Sequence, residues 1–177
     1  MRAFGWVREL KNKKSIAAKY KNIDERFLFT NLGFNLRPTE IQGAFGIHQL
    51  KKLENFLKIR IENAKYWEKR FKGLGDVFSL PKVTKGAKHA YFCYPLTILE
   101  DVNFSRKDIV KYLEKKKIET RPIMAGNMAE QPSNKLFSHR VSGKLTNSKL
   151  IMRNGFFFGN HQDIGQEERE FLADNVI

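Results

Sequence analysis

Between Pro38 and Lys72 apolar residues recur at Ile41, Ala44, Phe45, Leu50, Leu53, Phe56, Leu57, Ile61, Ala64 and Phe71. These steps mostly keep the three-to-four spacing of one helical face. Pro38 suits the first turn, because its missing N–H is one of the donors left unpaired there, and Glu40 is favoured beside the positive end of the helix dipole. Gly73 and Gly75 supply a stop signal. The pattern predicts one helix from Pro38 to Lys72, about 50 Å long at 1.5 Å per residue. That length exceeds what a small domain can cover, so the helix is expected to pack on something else as well.

The rest of the chain must fit around that rod. Its 177 residues include fifteen Phe, enough to bury a core and exclude disorder. The 33 Lys and Arg against 19 Asp and Glu give a net charge of +14, which favours anionic partners. Cys93 is the only cysteine, which excludes an intrachain disulfide and suits a reducing, cytoplasmic setting. The first residues lack a signal-peptide core, and no segment approaches the roughly 20 apolar residues of a membrane span.

Three regions follow from texture. Residues 1–30 are polar and basic, with KNKK and scattered aromatics, and do not read as a self-contained unit. Residues 31–75 are the long helix with its entry loop. Residues 76–177 alternate short elements and form a small α/β domain with a short, largely antiparallel sheet and flanking helices. Strands are expected at Val77 to Leu80, at His89 to Leu99, at Ile118 to Ile123 and at Phe156 to Phe158. Pro95 predicts an edge strand or a bulge in the second of these. Ser105 with Asp108 forms a capping-box pattern before a short helix that ends in Lys115 to Lys117. Further helices are expected near Asn147 to Arg153 and from about Gly165.

Three segments mix side-chain amides, arginines and glycines in a way that neither core nor plain surface requires. In Asn31 to Gln42, the residues Gly33, Asn35, Arg37 and Gln42 surround a helix start, a place suited to anions. The alternative is that Asn35 shapes a turn and Arg37 is a solvated charge. In Thr120 to Pro132 a strand runs into a loop, where Arg121, Asn127 and Gln131 could meet a polar ligand, or Arg121 could simply pair with a carboxylate. In Asn154 to Gln162 a buried strand ends in Asn160 and His161. The histidine is a candidate acid or base with no assignable partner, or a hydrogen-bonded structural residue. His48, His89, His139 and His161 are scattered without metal-ligand spacing, so no metal is expected. Cys93 reads as a small buried side chain. Basic residues beside Tyr66 and Trp67 on the long helix could meet nucleic acid, but none of the usual motifs is present.

Taken together, the three segments resemble the pyridoxal-phosphate-dependent sugar aminotransferases and their dehydratase relatives, of aminotransferase fold type I. GFNLRPTEIQGAFGIHQL is similar to the family's G-(aromatic)-N-x-R-(x)2-E-I-Q-A-A-x-G-x-x-Q-L segment. RAFGW resembles its R-x-x-G stretch. IETRPIMAGN and NGFFFGNHQ look most like the branch of 3-dehydratases that remove the C3 hydroxyl of a 4-keto-6-deoxy sugar nucleotide. The resemblance covers the chain as the C-terminal half of such an enzyme, in O-antigen and related polysaccharide biosynthesis. A nucleotide-sugar 4-aminotransferase or a non-catalytic interaction fragment are the alternatives. The resemblance implies PLP or PMP in the complete homodimeric enzyme, with Asn35 reaching the cofactor phosphate of the neighbouring subunit and Arg37 beside it. It implies that Arg121, Asn127, Gln131, Asn160 and His161 border the pocket for a nucleotide-diphosphate sugar. The family's pyridine-pairing aspartate and its active-site lysine, a histidine in the dehydratases, match nothing in this chain. No residue here is therefore expected to be catalytic, and the chain alone is expected to be inactive and free of cofactor. A fragment, a truncated product or one half of a split enzyme would all fit that expectation.

Overall fold

A computed structural model describes residues 5–7, 10–24, 27–34, 36, 38–123 and 126–177, with only the backbone at 135. The chain divides into two compact units, residues 1–52 and 53–177, and the division falls inside the long helix.

In the first unit the chain folds back on itself. The Val7 N–H donates to the Leu28 carbonyl at 3.0 Å and the Thr30 N–H to that of Gly5 at 3.2 Å. Trp6 stacks on Phe29 with ring centroids 5.6 Å apart, and Val7 and Leu28 are buried. Gly5, at φ +80°, is required here, because a Cβ would lie 1.7 Å from the Asn31 carbonyl oxygen. A short helix α1 spans Lys13–Ala17.

The predicted rod is α2, Glu40–Phe71, 32 residues. It starts two residues after Pro38 because Thr39 and Gln42 cap it reciprocally. The Gln42 N–H donates to Thr39 Oγ1 at 3.4 Å and the Thr39 N–H to Gln42 Oε1 at 2.9 Å. Its end falls within one residue of the expected Lys72: the chain leaves α2 at Phe71 through a 3-10 turn at Lys72–Leu74 that Gly75 follows. In the first unit Ile41, Phe45, Ile47 and Leu50 of α2 are exposed. In the second unit Ala64, Trp67 and Phe71 are buried.

The second unit is built on a four-stranded, wholly antiparallel sheet of order β1-β2-β4-β3. The strands are β1 Phe78–Ser79, β2 Cys93–Ile98, β3 Thr120–Pro122 and β4 Gly155–Gly159. Helices α3 (Arg106–Lys115), α4 (Thr146–Asn154) and α5 (Gln166–Val176) surround it. Pro95 was expected on an edge or a bulge, yet β2 is an interior strand. The reason it is tolerated is local: β1 pairs only with Thr97 and Ile98, so β2 is still an edge at Pro95 on that side. Tyr94, Leu96, Ile98, Phe156 and Phe158 face one way and form the core with Trp67, Phe71, Leu113, Leu172 and Val176. Trp67 sits edge-on to Phe158 at 5.0 Å and to Tyr94 at 5.6 Å, and its indole N–H donates to the Arg169 carbonyl at 3.0 Å. Such a buried ring is not available to stack on a nucleic-acid base. Cys93 is half-buried, and burial pushes its thiol up, which disfavours the thiolate form. Among the described residues no helix is long and apolar enough to cross a membrane, and no three metal-ligating side chains converge.

The ends of α3 carry two testable features. The capping box is formed: the Asp108 N–H donates to Ser105 Oγ at 3.3 Å and the Ser105 N–H to Asp108 Oδ2 at 2.9 Å. The Ser105 hydroxyl, then its N–H, hold the Asp108 carboxyl below the usual range. A lowered native value means that this contribution is present above the unfolded value of about 3.9 and fades as pH falls through the native one. The protection of the Ser105 and Asp108 amides against exchange, taken relative to an unfolded peptide at the same pH, should therefore fall at acid pH, and the Ser105→Ala variant should lose that pH dependence. At the other end the Ile118 N–H reaches the Leu113 carbonyl and the Lys117 N–H that of Glu114, both at 2.9 Å. This closure puts Lys117 at φ +64°, a conformation that favours glycine. Lys117→Gly is expected to raise stability by about 0.5–1 kcal/mol in denaturant melts.

Candidate functional site

Side chains alternate across a sheet, so the residues between the core-facing ones point to the opposite face. Across it Pro95 registers with Phe157 and Phe157 with Arg121. That face carries a cavity of about 990 Å³, lined by Phe92, Arg106, Arg121, Ile123, Gln131 and Phe157 among others. Phe92 and Phe157 stand 5.9 Å apart on its wall. Gly126, at φ +53°, lets the following loop pass Met152, where a Cβ would come within 2.5 Å of the Met152 Cβ.

Two arginines supply the charge. Arg121 leaves β3 beside Glu119, two residues away and on the same face, and donates through Nε at 3.1 Å and Nη2 at 2.8 Å to Glu119 Oε1. The pair is 69% and 76% exposed, so solvent screens it and an incoming anion can compete for the guanidinium. Arg106 opens α3, the wrong end of a helix for a cation. Its Nη1 donates to the carbonyls of Met152, in the last turn of α4, at 2.8 Å and of Gly155, the first residue of β4, at 3.2 Å, the former an acceptor that a helix leaves unpaired at its C-terminal end. The misplaced charge was the sequence signal for this role. Phe92, Arg106, Glu119, Met152 and Phe157 are among the lining residues that the sequence did not single out as ligand contacts.

Of the expected substrate residues, Arg121 and Gln131 line this cavity. Asn127 does not; it lines another, is 3% exposed, and accepts from the Ala129 N–H at 3.2 Å to cap a 3-10 turn. Asn160 is 1% exposed. Its Nδ2 donates to the Arg60 carbonyl at 2.9 Å and its Oδ1 accepts from Asn63 Nδ2 at 3.4 Å, which ties the end of β4 to α2. His161 is exposed in the turn beyond, with Nδ1 3.2 Å from Asp163 Oδ2, the partner that the sequence left unassigned. Asn35 and Arg37 lie outside the described residues. Gln42, beside them in sequence, is engaged in the α2 cap.

The cavity does not fit a pyridoxal group as its own cofactor. Among the described residues no lysine lines it to carry an imine, and the one carboxylate among them, Glu119, is paired with Arg121. An apolar wall of two phenyl rings beside an exposed arginine instead suits a ligand with a flat ring and an anionic group.

The model of the DegT/DnrJ/EryC1/StrS aminotransferase family matches residues 1–176. The chain is 35% identical over 177 residues to the GDP-4-keto-6-deoxy-D-mannose 3-dehydratase of Escherichia coli O55:H7, covering 98% of this chain and 45% of that protein. It is 32% identical over 150 residues to the lipopolysaccharide biosynthesis protein RfbH of Salmonella typhimurium, covering 85% and 34%. A solved structure of the E. coli 3-dehydratase with bound hydrated PLP superposes with a TM-score of 0.85 at 34% identity, over 99% of this chain and 45% of that one. The chain thus spans less than half the length of these relatives.

Proposed function

Because the chain belongs to the DegT/DnrJ/EryC1/StrS aminotransferase family, we propose that it is the C-terminal part of a PLP- or PMP-dependent enzyme that acts on nucleotide sugars. The reaction we assign to the complete enzyme is 3-dehydration of a 4-keto-6-deoxy sugar in polysaccharide biosynthesis. The observation that carries this reading is the cavity on the free face of the sheet, where Arg121 and Gln131 flank an aromatic wall. In it Phe92 and Phe157 take a nucleoside face and Arg121 exchanges Glu119 for a phosphate oxygen. Arg106 holds the cavity rigid by tying α3 to α4.

The cofactor supplies an electron sink when bound, and its chemistry belongs to residues outside this chain. From this chain, Asn35 and Arg37 are assigned to the cofactor phosphate across a homodimer interface. The exposed Ile41, Phe45 and Leu50 on α2 are assigned to contacts with a second copy or with the rest of the enzyme, because a run of large apolar side chains of this kind favours a covered state.

The test of the binding role is a calorimetric titration of the full chain with guanosine diphosphate, the nucleotide named in the E. coli relative. Saturable binding that perturbs the Phe92 and Phe157 ring signals in a parallel NMR series is expected. Absence of binding, or binding that leaves both rings unperturbed, contradicts the assignment.

A further inference from the structure

Phe92 stands where the pleat of β2 would not put it. In that strand Tyr94, Leu96 and Ile98 face the core, so alternation carried back two residues from Tyr94 places residue 92 on the core face as well. The backbone still follows the sheet there, since the Asn160 N–H donates to the Phe92 carbonyl at 3.4 Å, one step beyond the pair of Cys93 and Gly159. The Phe92 side chain is nevertheless 62% exposed and lies on the opposite face, its ring 5.9 Å from that of Phe157 on the cavity wall.

The reversal is made at Tyr91. Its φ is +44°, a left-handed conformation that a bulky side chain adopts only against a steric cost. Tyr91 takes the core-side place in the stead of Phe92: it packs against the core cluster, and burial, then Glu68 of α2, push its phenol up. A strained backbone of this kind persists only where its surroundings hold it, and His89 supplies the hold. Its Nδ1 accepts the Tyr91 N–H at 3.0 Å, and the two rings meet edge-on with centroids 4.4 Å apart. An N–H can only donate, so Nδ1 is the bare nitrogen of a neutral ring and Nε2 carries the hydrogen.

We propose that His89 is a positioning residue for the cavity: by accepting the Tyr91 N–H it fixes the left-handed turn that carries Phe92 off the core face and onto the wall beside Phe157. His89 is not among the residues that line the cavity and acts through the Phe92 ring. The consequence for binding rests on the proposed nucleotide site; the placement of Phe92 does not.

The test reads the two separately in the full 177-residue chain. Without ligand, nuclear Overhauser contacts between the Phe92 and Phe157 rings should be present in the wild type, lost in His89→Ala and regained in His89→Asn, whose side-chain oxygen can accept the N–H two residues on. The Trp67 indole signal should keep its position in both variants, because His89 is exposed and outside the core. With guanosine diphosphate, His89→Ala should weaken binding about tenfold, the loss of one ring from a stack, and His89→Asn should restore it. In a Phe92→Ala background the His89→Ala substitution should have no further effect, because the histidine acts only through that ring. Ring contacts that survive in His89→Ala, or that His89→Asn fails to regain, would overturn the proposal, as would a further loss of affinity in the Phe92→Ala background. If the wild type binds no nucleotide, the nucleotide site falls, and the ring contacts alone decide the role of His89.

Discussion

Trp67→Ala is expected to lower the stability of the second unit by about 4 kcal/mol, in the range found when a large buried aromatic is truncated. The indole is fully buried, stands edge-on to both Tyr94 and Phe158 and donates to the Arg169 carbonyl at the start of α5. Its loss opens a cavity where helix α2, the sheet and α5 meet, and leaves the Arg169 carbonyl without that donor. Since domains of this size are stable by about 5–15 kcal/mol, the variant should unfold at a much lower guanidinium concentration. Trp67→Phe keeps most of the ring contacts and should fall between the two. A loss below about 1 kcal/mol for the alanine variant would show that α2 is not packed on the sheet as described.

Arg121→Ala is expected to weaken guanosine diphosphate binding about a hundredfold, the loss of one charge-assisted, two-pronged contact to phosphate. Glu119 makes the sign testable in the other direction. Its carboxylate now accepts both Nε and Nη2 of Arg121 and must yield them to the ligand. Glu119→Gln should therefore tighten binding, by about threefold for an exposed pair. Calorimetry on both variants reads the two effects. Arg121→Ala without effect, or weakening by Glu119→Gln, would remove Arg121 from the nucleotide site.

Much of this architecture is legible in the sequence, for reasons that differ by element. The long apolar period from Ile41 to Phe71 specified α2 because a helical face has one repeat over many turns. The Ser105 and Asp108 spacing specified the start of α3 because its bonds are local. The end of α2 was less legible: Gly73 and Gly75 mark a stop, but the choice between a left-handed closure and a 3-10 turn is made by packing. Pro95 illustrates a longer-range effect, since its interior position is possible only because β1 is two residues long.

The site was legible in part. Arg121 and Gln131 share a cavity as adjacent loop and strand residues can, whereas Asn127, only six positions beyond Arg121, faces a different one. Sequence proximity does not tell which side of a loop an amide takes. Asn160 looks the same in sequence whether it meets a ligand or, as here, bonds to Asn63 and the Arg60 carbonyl about a hundred positions away. Arg106 stands out in sequence only as a cation at the wrong end of a helix, and its acceptors, the Met152 and Gly155 carbonyls, are brought to it by the fold; Glu119 enters the site only through its ion pair with Arg121.

In the proposed function this chain completes a cofactor-dependent active site whose remaining residues lie elsewhere. The most direct measurement mixes the purified chain with the N-terminal part of the E. coli 3-dehydratase and PLP, records the cofactor absorbance, then adds a GDP-4-keto-6-deoxy sugar and follows product. Expected are little spectral change and no turnover with either piece alone, a bound-cofactor spectrum and turnover when both are present, and loss of the spectral change with Asn35→Ala. A bound-cofactor spectrum and turnover from the isolated chain would contradict it, as would a mixture in which neither develops.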